Sequence, residues 1–497
     1  MNLLLAIVIS LSTTDRLESV LDAAGDNKSE LQAVLDHYES QGEMQKYEAT
    51  CFLIENMEGH NYTELVFFNE KDEIVPFDSL SYENYDEAAS AMHSLEQEHG
   101  SIRHGKGKVI HDIETITSEY LIENIDLAFA AWHTNPWAKH LSFDDFCEYV
   151  LPYRGSNEPI ESWRGELMDN FASLEDELED SSNPFEAGKL LEQKANAIIG
   201  FDPIFYLHPT DQGFAEMKER GLGRCEDITN MQIYARRAGG VAVASDYTPL
   251  WAKAGNNHAW SVIIGPDGKG YAPIHNVAAK VYRKTYSEQL DSLGAKLEEG
   301  EQAPRWLKGK YYKDVTTSYG KVSDITIPMQ EYTDEKYGYI CVFNSGSWGP
   351  IHWSNLEYGY AHFNDMGRDI LYMPAYFRDG DVIETATPLI LHNNGTVEKL
   401  AGGGDTASIM LTSTTGDEVT YEGMTDESVQ LPIKEGVSYE LFVWDDADWQ
   451  TVATEFGGSA PFTFEGLDTK RLYWLTEIGG TKEERPFVIS NGEVVRY

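Results

Sequence analysis

Gly221-Leu222-Gly223-Arg224-Cys225-Glu226-Asp227 runs directly into Ile228, Met231, Ala235 and Ala238, apolar positions that share one face of a helix. Gly239-Gly240 closes that helix as a C-cap, and residues 241–244 read as a strand leading into Asp246-Tyr247-Thr248-Pro249. Asn256-Asn257-His258-Ala259-Trp260-Ser261-Val262-Ile263-Ile264 is then a strand that opens on a histidine. A Gly265-Pro266-Asp267-Gly268 turn reverses the chain into Tyr271-Ala272-Pro273-Ile274, followed by His275 and Asn276. Helix, strand, turn and strand in this order define an α+β core.

The order also places chemistry. Cys225 falls at a helix start, where unpaired N–H groups and the positive end of the dipole favour a thiolate, and Arg224 adds a positive charge beside it. A thiolate is the nucleophilic form of the residue. His258, at the mouth of a strand, is the candidate base. The antiparallel hairpin brings the region of His275 and Asn276 alongside it, so that a third group can fix the imidazole tautomer. The competing structural reading makes Cys225 an inert buried thiol, and His258 and Trp260 satisfied core residues.

Residues 223–276 resemble the core of the transglutaminase-like superfamily, through Gly223-x-Cys225, His258-x-Trp260 and the His275-Asn276 pair. Phe52-Leu53-Ile54-Glu55-Asn56-Met57, Asp246-Tyr247-Thr248-Pro249-Leu250-Trp251, Ala279-Lys280-Val281-Tyr282-Arg283-Lys284-Thr285 and Lys482-Glu483-Glu484-Arg485-Pro486-Phe487 resemble secreted bacterial members. The resemblance implies a papain-like, transglutaminase-like core, with Cys225 as nucleophile and His258 as base. It implies thiol-dependent acyl transfer or amide hydrolysis on a peptide or glycopeptide, with no cofactor. One departure stands out: the family's aspartate position aligns with His275, while an asparagine follows at Asn276. Successive strand residues face opposite sides, so only one of the two can orient His258.

A chain of 497 residues is several times the usual domain of about 100–150 and holds several cores. The expected organisation is a signal peptide over residues 1–15, a helical N-terminal domain over 16–109 and the catalytic domain over 110–320. Two β-sandwich domains, 321–402 and 403–497, complete it and divide near Gly402-Gly403-Gly404. Leu17, Val20, Leu21, Leu31, Val34 and Leu35 supply the helical period of the first part, whereas the last third alternates with period two between Gly, Asn and Asp turns.

The apolar run at 3–11 lacks a preceding Lys or Arg and is far shorter than the ~20 residues that span a bilayer. It points to secretion, or to a periplasmic or cell-surface location, with no transmembrane segment. The 83 acidic against 38 basic residues, a net charge of −45, repel nucleic acid. Four scattered cysteines exclude a zinc ribbon or a dense disulfide framework, and the acidic stretch 166–183 reads as a solvated helix and turn rather than a metal site. Cys51, Cys147 and Cys341 read as structural. Asn27, Asn61 and Asn394 head glycosylation sequons. An alternative function is an inactive relative that binds carbohydrate or glycopeptide through Trp348, Trp353, Tyr358, Tyr360, Trp444 and Trp449 of the β-sandwiches.

Overall fold

The structure, a computed structural model, describes residues 15–272, 274, 277–329, 334–385, 387–415, 420–421, 424–425, 431–458, 461–480 and 484–497. The expected signal peptide falls almost entirely outside them, as do His275 and Asn276. The chain folds into two compact units with interleaved segments. The first comprises Met1–Asp246, Ala259–Ala272 and Lys284–Glu288, and the second Tyr247–His258, Pro273–Arg283 and Gln289–Tyr497.

In the first unit the three-and-four spacing of Leu31, Val34, Leu35 and Tyr38 becomes the buried stripe of helix Lys28–Gln41, which stops at Gly42 with φ 72°. It packs on helix Met44–Glu55 and on helix Ser118–Thr134. Tyr38 Oη donates to Asp126 Oδ1 at 3.0 Å, tying the first helix to the last. Not all of the stretch read as helical is helix. Asn61–Phe68 pairs antiparallel with Arg103–His111, in a register running from Asn61↔His111 to Phe68↔Arg103. Tyr62, Thr63, Val66, Phe67 and Phe68 are aromatic or β-branched, and a cross-strand partner decides the matter for such residues.

The interior of this unit is polar as well as apolar. Arg154 meets Asp112 in a buried pair, donating through Nε at 2.9 Å and Nη2 at 2.5 Å, and Tyr153 Oη adds a third donor at 2.9 Å. Arg164 has no carboxylate. It donates to Asn124 Oδ1 at 2.9 Å and to the carbonyls of Val150, Leu151 and Pro152 at 3.0–3.3 Å. Arg237 holds the carbonyls of Tyr149, Pro152 and Arg154. The irregular segment 149–154 can be buried only because its carbonyls find these donors.

The second unit is mostly β, as the period-two pattern requires. An eight-stranded sheet runs in the order Val322–Pro328, Tyr360–Gly367, Ser347–Glu357, Tyr337–Asn344, Ile370–Arg378, Leu389–Leu391 and Val397–Lys399, with Asp381–Glu384 also paired to Ile370–Arg378. A five-stranded sheet follows in the order Asp448–Phe456, Ser438–Asp445, Tyr473–Glu477, Phe487–Ser490 and Glu493–Arg496. One apolar cluster joins them, with Phe343, Trp348, Leu371 and Met373 from the first sheet against Trp444, Trp474 and Val488 from the second.

His60 supplies a pH test of the first unit. Its ring stacks on Tyr286 at 4.3 Å and 11°, its Nε2 donates to the Tyr286 carbonyl at 2.9 Å, and removal from water pushes its pKa down to about 4. The unfolded chain takes up this proton near 6.5. Between those values the unfolded state binds more protons, so the contribution is whole above about pH 6.5 and is lost as the pH falls toward 4. Denaturant unfolding at pH 7.5 and 5.5 should show a loss of up to about 1.4 kcal/mol that disappears in His60→Phe. The same pH difference in the variant contradicts the assignment.

Candidate active site

Helix Phe214–Arg220 ends at Gly221, in the left-handed region at φ 65°. Leu222–Gly223 then lies parallel to Gly200–Phe201, with Gly200↔Leu222 and Phe201↔Gly223 in register. Arg224 is extended, and helix Cys225–Ala238 begins at the next residue. Asp227 builds this corner. Its carboxylate accepts from the Arg224 N–H at 2.9 Å, the Gln212 N–H at 3.0 Å and Gln212 Nε2 at 3.1 Å. Burial raises the pKa of Asp227, and these hydrogen bonds oppose the rise.

The corner also explains Gly223. A Cβ there would lie 2.7 Å from Asp227 Cβ and 2.9 Å from its Oδ2, so only glycine lets the carboxylate reach back to the turn. Cys225 therefore occupies the first helical position, half-buried, where the helix supplies its unpaired N–H groups. The guanidinium expected to lie beside the thiol serves elsewhere. Arg224 donates to Asp211 Oδ1 at 2.5 Å and to the carbonyls of His208 and Pro209, and Glu226 sits 3.4 Å from its Nε. Two carboxylates thus compensate its charge.

A residue that the sequence did not single out stands against the sulfur. Tyr206, on the short 3-10 helix Pro203–Leu207, places its Oη 3.6 Å from Cys225 Sγ, and either group can donate. Partial removal from water, then the contact with the thiol, raises the Tyr206 phenol above its usual value. Tyr206 is 52% exposed and meets Phe201 edge to face at 5.8 Å. Burial pushes the Cys51 thiol up to about 11 and raises the Cys147 and Cys341 thiols as well.

His258 opens strand His258–Ile264, which Gly265 and Gly268 turn back onto Gly270–Tyr271 through a 2.9 Å hydrogen bond between them. The His258 ring is stacked on Trp251 at 6.0 Å and 26°, and Trp260 is buried. Cys225 belongs to the first unit and His258 to the second. The acidic stretch 166–183 forms helical turns and ends at Asn183, which caps helix Pro184–Asn196. Among the described residues no cluster of His, Cys, Asp and Glu could hold a metal ion, and no helix is long and apolar enough to cross a membrane.

Of the aromatic residues considered for carbohydrate binding, Trp348 and Trp444 are core, 5.9 Å apart and edge to face. Trp449 packs on the same cluster, and Trp353 packs beside Tyr337. Tyr358 and Tyr360 are exposed. No family model matches the sequence, and no curated protein matches it. Among solved structures the chain is similar to the crystal structure of red sea bream transglutaminase, at 9% identity over 65% of this chain and 72% of that one, with a TM-score of 0.20. A likeness at that level carries no argument about fold or activity.

Gly223→Ala tests the corner. The new methyl should displace Asp227, destabilise the first unit by about 1–3 kcal/mol and slow alkylation of Cys225 several-fold. Unchanged stability and thiol reactivity would show that the close approach at Gly223 has no consequence.

Proposed function

We propose that the protein catalyses thiol-dependent acyl transfer or amide hydrolysis, with Cys225 as nucleophile and His258 as base. The observation that supports it most is the setting of Cys225: a half-buried thiol at the first position of a fourteen-residue helix, against the Tyr206 hydroxyl. The partnership with His258 rests on the order of the two motifs along the sequence.

In this reading the Cys225 thiolate attacks an amide carbonyl carbon, the C–N bond breaks, and His258 returns the thiol proton to the leaving amine. Water or a second amine then takes the acyl group from the thioester and regenerates the thiol. Either His275 or Asn276 fixes the His258 tautomer. The substrate class is a peptide or glycopeptide amide, the chemistry requires no cofactor, and the setting is secreted, periplasmic or at a bacterial cell surface. A second reading, carbohydrate or glycopeptide binding by the β-rich region, has support from Tyr358, in the turn between strands Ser347–Glu357 and Tyr360–Gly367 and 98% exposed, and from Tyr360, exposed at the start of the second strand.

Site-resolved iodoacetamide labelling across pH, for the native protein and His258→Ala, tests the first reading without a substrate. Cys225 should label fastest of the four cysteines below the ordinary thiol value of about 8.5, and should slow at least tenfold when His258 is lost. Labelling of Cys225 no faster than Cys51, Cys147 or Cys341 sinks the proposal.

A further inference from the structure

The segment that carries His258 has little regular structure of its own. Residues 249–257 contain Asn256 in the left-handed region at φ 66°, a conformation that asparagine tolerates but that still needs outside support. That support comes from two buried polar side chains of the β-rich region, within the same unit. Asn344 ends strand Tyr337–Asn344. Its Nδ2 donates to the carbonyls of Trp251, Ala254 and Asn256 at 3.1, 3.0 and 2.9 Å, and its Oδ1 accepts from the Asn256 N–H at 3.1 Å. Arg485 donates to the carbonyls of Ala252 at 2.7 Å and Ala254 at 3.4 Å, while its Nε holds the Tyr497 backbone oxygen at 2.7 Å.

We infer that Asn344 and Arg485 are positioning residues for His258, acting through Trp251, so that the β-rich region sets the orientation of the imidazole; this rests on the role proposed above for His258. The path is short. Asn344 fixes the Trp251 carbonyl, the Asn256 carbonyl fixes the Trp251 N–H at 3.1 Å, and the Trp251 ring lies against His258. Packing reinforces it, because a Cβ at Gly349 would lie 2.1 Å from Leu250 Cδ1, so Leu250 fills the space that glycine leaves. Lys253 adds an ion pair to Asp369 at 2.8 Å on the same segment. Asn344 spends both N–H groups of its amide and one acceptor position on this loop, with Ser345 Oγ also donating to its Oδ1 at 3.1 Å, and such a buried amide is costly unless the loop has a single conformation.

The test is the imidazole spectrum of the full chain carrying labelled histidine, with the His258 signal identified by its loss in His258→Ala. In the native protein the Trp251 ring, 6.0 Å from that of His258, should displace this signal from the free-histidine position. In Asn344→Ala and in the milder Arg485→Lys that displacement should fall by at least half, while the signals of His60 and His352 stay in place and report an intact fold. Should Asn344→Ala fail to fold, Arg485→Lys and Asn344→Ser give the same reading. An unmoved His258 signal in any folded variant overturns the inference. The spectrum does not involve the thiol: a moved His258 signal beside an unreactive Cys225 would remove the proposed activity and keep the positioning, and the converse would do the opposite.

Discussion

Irregular backbone can be buried only when its carbonyl oxygens find donors, and in this protein buried guanidinium and amide groups supply them. Arg164 and Arg237 gather the carbonyls of residues 149–154, and Arg485 and Asn344 gather those of residues 251–256. The cost is visible in the arginines themselves: burial pulls Arg164 and Arg485 down to about 9, and Arg237 to about 10 against the opposing charges of Glu158 and Glu148. A charge held at that cost fixes geometry, because any movement of the loop strips it of its ligands. Arg237 belongs to the helix that begins at Cys225, and Asn344 and Arg485 hold the segment that ends at His258.

The helix start is a second, smaller case of the same constraint. Asp227 accepts from three N–H donors at a helix start, where the backbone has no acceptors of its own to offer them, and Gly223 leaves the room for it. The thiol follows from this corner rather than from a neighbouring cation. Asp211 and Glu226 neutralise Arg224, leaving the helix terminus and the Tyr206 hydroxyl as the polar groups that meet the sulfur.

Much of this was legible in the sequence. The run from Gly221 to Gly240 announces a helix with a glycine at each end, and helix Cys225–Ala238 occupies it. Leu31, Val34 and Leu35 give their buried stripe directly, and the Gly265 and Gly268 turn is written in its residues. What escaped depends on partners remote in the chain. Asn61–Phe68 becomes a strand because Arg103–His111 returns beside it, and no local period shows that. Tyr206 meets Cys225 through the fold around the parallel pair Gly200–Phe201 and Leu222–Gly223, and a tyrosine nineteen residues upstream carries no mark of it. Trp348 and Trp444 read from the sequence as core more readily than as sugar platforms, and both are core, although a tryptophan on a strand reads the same whichever face is covered.

The acyl transfer proposed for Cys225 requires a thioester on its sulfur, and capture of that thioester is the measurement to make. The native protein, exposed to a panel of peptide and glycopeptide amides, acid-quenched and mapped by peptide mass spectrometry, should carry an acyl adduct on Cys225 that hydroxylamine removes and that Cys225→Ser lacks. Absence of any adduct on Cys225 across the panel, together with intact substrates, would contradict the account.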